Sequence, residues 1–288
     1  MLDAWGFVSV LVKFWLYLGF IVTTGTAMIW VIFPKPLAPV TKKLRATILV
    51  ASAVSLVATI LSFLLRAIGL TGDVAGIADL EILSLLWQTQ PGDVLLLRAV
   101  ATVMLLTGAA MTRHGRWISL LGGLLGLVSF TQIGHVPALG QPALGLLLLL
   151  HLVLIAFWVG VLLPLHELCK RPACLVQAGR LGDQFGRLAT FGVAALLVAG
   201  AIMAGVLVGG FERLLSTSYG NTLLLKVFLV GILLSLAILN KSRFVPAICC
   251  ADKTAAERLA LSIKLEAFVM VLIFLATAIL TSVLPLPH

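Results

Sequence analysis

Apolar residues run through this chain in long stretches, and polar residues fall between them in short clusters. A helix that spans a bilayer needs about 20 mostly apolar residues. Eight stretches meet that length, roughly 5–33, 44–69, 92–112, 116–134, 143–166, 186–210, 222–240 and 259–284. Proline punctuates them: Pro34 and Pro36 stop the first, Pro142 opens the fifth and Pro285 stops the last, positions that tolerate a residue without a backbone N–H. The longest polar connections are 70–91 and 167–185. The pattern predicts an all-α integral membrane protein built as an eight-transmembrane-helix bundle. The first stretch reads as a retained span and not a cleaved leader. Asp3 stands where a leader carries bases, the apolar run is too long, and no small-residue cleavage motif closes it.

Composition narrows the class further. With 61% apolar residues, 11% charged residues and a mean hydropathy of +1.17, there is too little charge to cover a soluble surface and too much apolar content for disorder. The net charge of +9 would suggest nucleic acid in a soluble protein, but here the bases sort by loop, as expected of a membrane protein. Lys35, Lys42, Lys43, Arg45, Arg113, Arg116, Lys170, Arg171, Arg180, Arg187, Lys241, Arg243, Lys253 and Arg258 are fourteen of the twenty, and all fall on one side of an eight-span arrangement. The opposite loops hold Asp73, Asp79, Glu81, Asp93 and Glu212. Basic loops face the cytoplasm, so both termini are expected in the periplasm, with no nucleic-acid partner. A repeat is also visible: Gly92-Asp93-Val94-Leu95-Leu96-Leu97-Arg98 matches Gly220-Asn221-Thr222-Leu223-Leu224-Leu225-Lys226, and Leu44-Arg45-Ala46-Thr47 echoes Arg187-Leu188-Ala189-Thr190. It predicts two four-helix halves of like orientation, 1–134 and 135–288, as in parallel-repeat transporters.

Five histidines carry the candidate chemistry: His114, His135, His151, His166 and His288. His135 ends the fourth stretch on the outer side. His151 follows Pro142 by nine residues, about 13 Å along a helix at 1.5 Å per residue, which places an ionisable group inside the outer leaflet, a default functional candidate. The two flank one short loop and can converge from adjacent helices, and neutral imidazole suits copper, zinc or iron. A bond from His151 to a backbone carbonyl is the alternative, and Trp158, on the same face, is expected to pack. A haem-b electron carrier is the rival reading, with His114 and His135 bracketing one span and His151 and His166 on the next. The fifteen-residue and twenty-one-residue separations, about 22 and 31 Å along helices, do not place both pairs level.

Other groups fill in the picture. Cys169, Cys174, Cys249 and Cys250 fall in cytoplasmic loops, where thiols stay reduced and suit Cu(I). Met28, Met104, Met111, Met203 and Met270 are spread over four helices and read mainly as packing. Lys13, Arg98 and Lys226 lie within the outer parts of helices, expected to snorkel or to pair with Asp79, Glu81 or Asp93. Glu266, two turns inside the last helix, is expected to form an ion pair or to take part in proton coupling. Gly122/Gly126 and Gly205/Gly209 have the spacing of close helix packing.

An ordered series of local motifs then carries a resemblance. Gly134-His135 is followed by Leu150-His151-Leu152-Val153-Leu154-Ile155-Ala156-Phe157-Trp158-Val159-Gly160, by Phe185-Gly186-Arg187-Leu188-Ala189, by Ser218-Tyr219-Gly220 and Leu223-Leu224-Leu225-Lys226, and by Leu239-Asn240-Lys241-Ser242-Arg243-Phe244-Val245-Pro246. This series resembles the copper resistance protein D (CopD-like) family of bacterial inner-membrane proteins, closely over about 130–284 and in general character before that. The resemblance implies copper handling across the inner membrane beside a small periplasmic CopC-like copper carrier, with the family's two histidines falling on His135 and His151. Val136-Pro137 departs from the small residue usual after the first histidine. Two imidazoles under-coordinate copper, so a third ligand is expected from a neighbouring helix, water or His288. Transport and non-transporting copper delivery both fit. No phosphate loop, nucleophile elbow or acid–base carboxylate pair points to an enzyme.

Overall fold

The computed structural model describes residues 4–111, 114–249 and 252–287, so Asp3, Arg113, Cys250 and His288 lie outside the described residues. Among the described residues every regular element is helical. The chain runs through α1 (Ala4–Ile32), α2 (Thr41–Thr71), a short α3 (Leu80–Trp87), α4 (Gln90–Ala110), α5 (Gly115–Val128) and a single turn, α6 (His135–Ala138). It continues through α7 (Pro142–Cys169), α8 (Leu175–Val208), a short α9 (Phe211–Ser216), α10 (Ser218–Leu239), α11 (Val245–Cys249) and α12 (Lys253–Ser282). A π-helical turn over Asn240–Phe244 joins α10 to α11. Among the described residues seven segments, carried by α1, α2, α4, α7, α8, α10 and α12, are long and apolar enough to cross a membrane, as in a multi-pass membrane protein.

The remaining stretch, 116–134, forms a shorter helix than expected. α5 has 14 residues, continued by the 3₁₀ turn Ser129–Thr131. It runs antiparallel to α4: Gly122 packs on Met104 and Ala101, the Arg98 Nε donates to Ser129 Oγ at 2.8 Å, and Gln90 Nε2 donates to the Gln132 carbonyl at 2.6 Å. The chain therefore returns to the end of the bundle where α4 begins. The polar stretch 167–185 is also not the long loop expected. α7 reaches Cys169 and α8 restarts at Leu175. The first turns of α8 are amphipathic: Ala178 and Leu181 are buried and Gly182 packs on Val245, while Arg187 and Asp183 pair at 2.8 Å on the exposed side.

Bonds tie the basic connections to one end. Arg171 Nη1 donates to the Pro39 carbonyl at 3.0 Å, Lys43 lies 3.7 Å from Glu167, Arg45 Nε donates to the Ala109 carbonyl at 2.6 Å, and the Lys241 ammonium donates to Thr190 Oγ1. Asp73, Asp79 and Glu81 lie at the other end, where Asp79 accepts from Glu81 N–H and Ile82 N–H and caps α3.

The core centres on α1, which packs against α2, α5, α7 and α12. Phe20, Ile21, Ala27 and Ile29 are fully buried along it. α1 and α7 cross at Gly25 and Gly160, where a Cβ on either would overlap the other helix's backbone; only small residues permit that approach. Gly126 is packed on the Phe20 ring. A Cβ on Gly205 would meet nothing within 4 Å, and Gly209, at φ 72°, is the left-handed cap of α8, so that pair ends a helix instead of packing one. Large apolar side chains such as Phe191 (81% exposed) and Leu146 (70%) face outward, as a lipid-facing surface requires.

Candidate functional site

Gly134, at φ 137°, turns the chain into α6 and sets His135 at its first position. A residue with a Cβ is strained at that φ. The His135 Nε2 lies 3.1 Å from the Leu280 carbonyl at the end of α12. A carbonyl only accepts, so Nε2 is the donor, and in the neutral ring Nδ1 keeps its lone pair. The ring packs edge-on against Tyr219, centroids 6.2 Å apart.

His151 sits within α7 and faces α8. A Cβ on Gly200 would lie 3.3 Å from His151 Cε1, so the imidazole lies over a position with no side chain. Its Nδ1 is buried beside the Leu196 carbonyl but forms no well-shaped hydrogen bond with it. The Lys226 ammonium of α10 acts on the same ring and makes no hydrogen bond or ion pair of its own among the described residues.

The two histidines thus have different immediate partners: α10 and α12 for His135, α8 and α10 for His151. Both border the first half of α10, at Tyr219 and Lys226. Seven residues separate these, about 10 Å along the axis. Among the described residues no three of His, Cys, Asp and Glu gather in ligating geometry. His114 is exposed at the start of α5, and His166 Nδ1 lies 3.1 Å from the Ala260 carbonyl, so these two stand apart from His135 and His151. Cys169 is buried, Cys174 half-buried and Cys249 exposed, all free thiols near the basic end.

Three assignments need correction. Among the described residues Glu266 pairs with no base: it is 4% exposed and accepts from Trp158 Nε1 at 3.2 Å and from Asn240 Nδ2. Trp158 therefore does more than pack. Lys13 donates to the Thr281 carbonyl and Arg98 to Ser129, not to acids, and Arg98 also stacks over Phe130 at 4.8 Å. The Trp158–Glu266–Asn240 linkage was not foreseen. Its only sequence signal was an asparagine and a glutamate at the inner ends of apolar runs.

Two family models match the chain: Copper resistance protein D-like, N-terminal domain, over residues 1–141, and Copper resistance protein D over 179–280. Between them they leave only 142–178 and the last few residues unmatched. The chain belongs to the copper resistance protein D family. Membership fixes a copper-related role for this membrane protein. No curated protein and no solved structure matches it.

Proposed function

We propose that this protein, set in the bacterial inner membrane with both termini periplasmic, accepts copper from the periplasm at His135 and His151 and moves it into the bundle. The observation that carries this reading is His151 itself. Its Nδ1 is buried without a well-formed hydrogen bond, an arrangement that costs roughly 1–3 kcal/mol unless something compensates. In a copper-resistance family, a bound copper ion is the natural compensation. His135 adds a second imidazole on the same helix border, with its Nδ1 lone pair unused. Copper comes as cargo from a CopC-like periplasmic carrier, and the histidines receive it at the acidic end, where Glu81, Asp79 and Asp73 favour cations.

We also read the chain as two halves of like orientation. Gly92 packs on the Trp87 carbonyl after α3, and Gly220 packs on the Leu214 carbonyl after α9. Thr89 and Thr217 hold the same N-cap position, and Arg98 and Lys226 follow two turns later. Transport is favoured over static delivery because α7, α10 and α12 connect the histidines to the Glu266 network deeper in the bundle.

The test is copper titration of the detergent-purified protein beside His135→Ala and His151→Ala. Each variant is expected to stay helical and monodisperse and to lose the copper equivalent bound by the parent. Full stoichiometry and affinity in both variants overturns the site.

A further inference from the structure

A second site lies at the acidic end, between α1, α2, α4 and the end of α12. A cavity of about 240 Å³ is lined there by Lys13, Tyr17, Thr59, Arg66, Arg98 and Ser282 among others. Three bases face it and no acid does. Lys13, Arg66 and Arg98 act on one another electrostatically, and none is in an ion pair among the described residues. Like charges gathered in one pocket repel one another, so the arrangement calls for a counter-charge that none of the described residues supplies.

The polar lining has the same incompleteness. Thr59 Oγ1 and Ser282 Oγ are buried with no hydrogen-bond partner, and Thr59 is 1% exposed. Arg98, 8% exposed, commits only its Nε, to Ser129, while Phe130 stacks on its guanidinium. Its terminal nitrogens make no hydrogen bond among the described residues. Packing therefore holds a guanidinium fork in place with its donors unspent, the geometry that suits bidentate recognition of an oxyanion. Arg66 stands at the exposed rim.

We propose that this cavity binds a phosphate-type oxyanion. Arg98 is the buried anchor, Lys13 and Arg66 supply the remaining charge, and the hydroxyls of Thr59, Ser282 and Tyr17 lie on its lining. Copper cations are repelled here, so the site is distinct in chemistry from the histidines, although Gly134, which precedes His135, lines its edge. Pro91 and Val94, from the first turns of α4, line it too, so it opens near the level of lipid headgroups. The phosphate can belong to an anionic phospholipid or be free in solution.

The test separates these sources. The full-length protein is purified in a mild detergent, with Arg98→Gln and the rim variant Arg66→Gln beside it. One arm adds inorganic phosphate and reads thermal unfolding. The other reconstitutes the protein in nanodiscs of phosphatidylglycerol mixed with phosphatidylcholine, then counts retained lipid by native mass spectrometry after detergent extraction. A free-anion site gives a phosphate-dependent rise in unfolding temperature; a headgroup site gives one retained phosphatidylglycerol. In either case binding weakens about tenfold in the variants, the loss of one charge-assisted hydrogen bond. Arg66→Gln keeps the test open should Arg98→Gln fail to fold. Phosphate and phosphatidylglycerol binding that is absent in the parent, or equal in parent and Arg66→Gln, overturns the proposal.

Discussion

At the residue scale the bundle is defined by a few polar groups that hydrocarbon does not tolerate alone. Glu266 has two acceptor oxygens and two donors, Trp158 and Asn240. In Glu266→Gln one oxygen becomes an NH₂ facing a donor; unless the Asn240 amide turns its unpartnered Oδ1 toward it, a bond is lost and one buried group is left opposed. That costs about 1–3 kcal/mol, read as a lower unfolding temperature in detergent, with Trp158→Phe costing less. An unchanged unfolding temperature in both variants would show that the linkage does not hold the helices together. Lys226 acts in the opposite direction on the copper site. Its ammonium repels a cation bound at His151. At an effective dielectric near 20, like unit charges on neighbouring groups repel by on the order of 1–4 kcal/mol. Lys226→Met should therefore bind copper about tenfold or more tightly, and weaker binding would mean that the lysine positions the imidazole. Copper binding by the parent should fall as pH drops, since protons then compete for the ligand lone pairs.

Helices in this fold meet through glycine where they cross and through capping where they end. The α1–α7 crossing leaves no room for a Cβ at Gly25 or Gly160, so Gly160→Ala should force the two helices apart. The expected cost is about 1–3 kcal/mol. Gly205→Ala meets nothing within 4 Å and should be neutral or stabilise by up to about 1 kcal/mol, because alanine is the better helix former. A thermal-melt comparison decides it; equal losses would mean that the crossing is not tight. The sequence announces most of these elements, since prolines at 34, 142 and 285 and the apolar runs mark their ends. α5 and the start of α8 were less legible. The apolar run at 116–134 gives no sign that its helix stops at Val128 to leave a 3₁₀ turn under Arg98. Arg180, Asp183 and Arg187 make the start of α8 look like a loop, and only contact with α11 reveals its buried side. The site shows the same division. His135 and His151 stand out as histidines in apolar surroundings, whereas the partners of Glu266 and the meeting of Lys13, Arg66 and Arg98 depend on contacts between distant helices, which no local spacing encodes.

At the scale of the whole molecule, the remaining question is how the bundle sits across the membrane. The 33–40, 170–174 and 240–249 connections and the helix turns beside them carry Lys35, Lys42, Lys43, Arg45, Lys170, Arg171, Lys241 and Arg243, and the bonds from Arg171 to Pro39, Lys43 to Glu167 and Lys241 to Thr190 hold them at one end. Excess bases in short loops stay in the cytoplasm, so a reporter fused at residue 175 should read cytoplasmic and one fused at the C-terminus periplasmic. α5 makes the decisive case because it is the shortest of the long elements. It runs antiparallel to α4 until Gln132 reaches Gln90, and His135 then meets the end of α12. If α5 crosses, a fusion at residue 140 reads periplasmic, on the same side as a fusion at residue 75. The bundle then has eight spans, with His135 at the periplasmic surface. A cytoplasmic reading at 140 with a periplasmic reading at 75 would leave seven spans and move His135 away from any periplasmic donor. A periplasmic reading at 175 would invert the whole arrangement and remove the basis for copper entry at the acidic end.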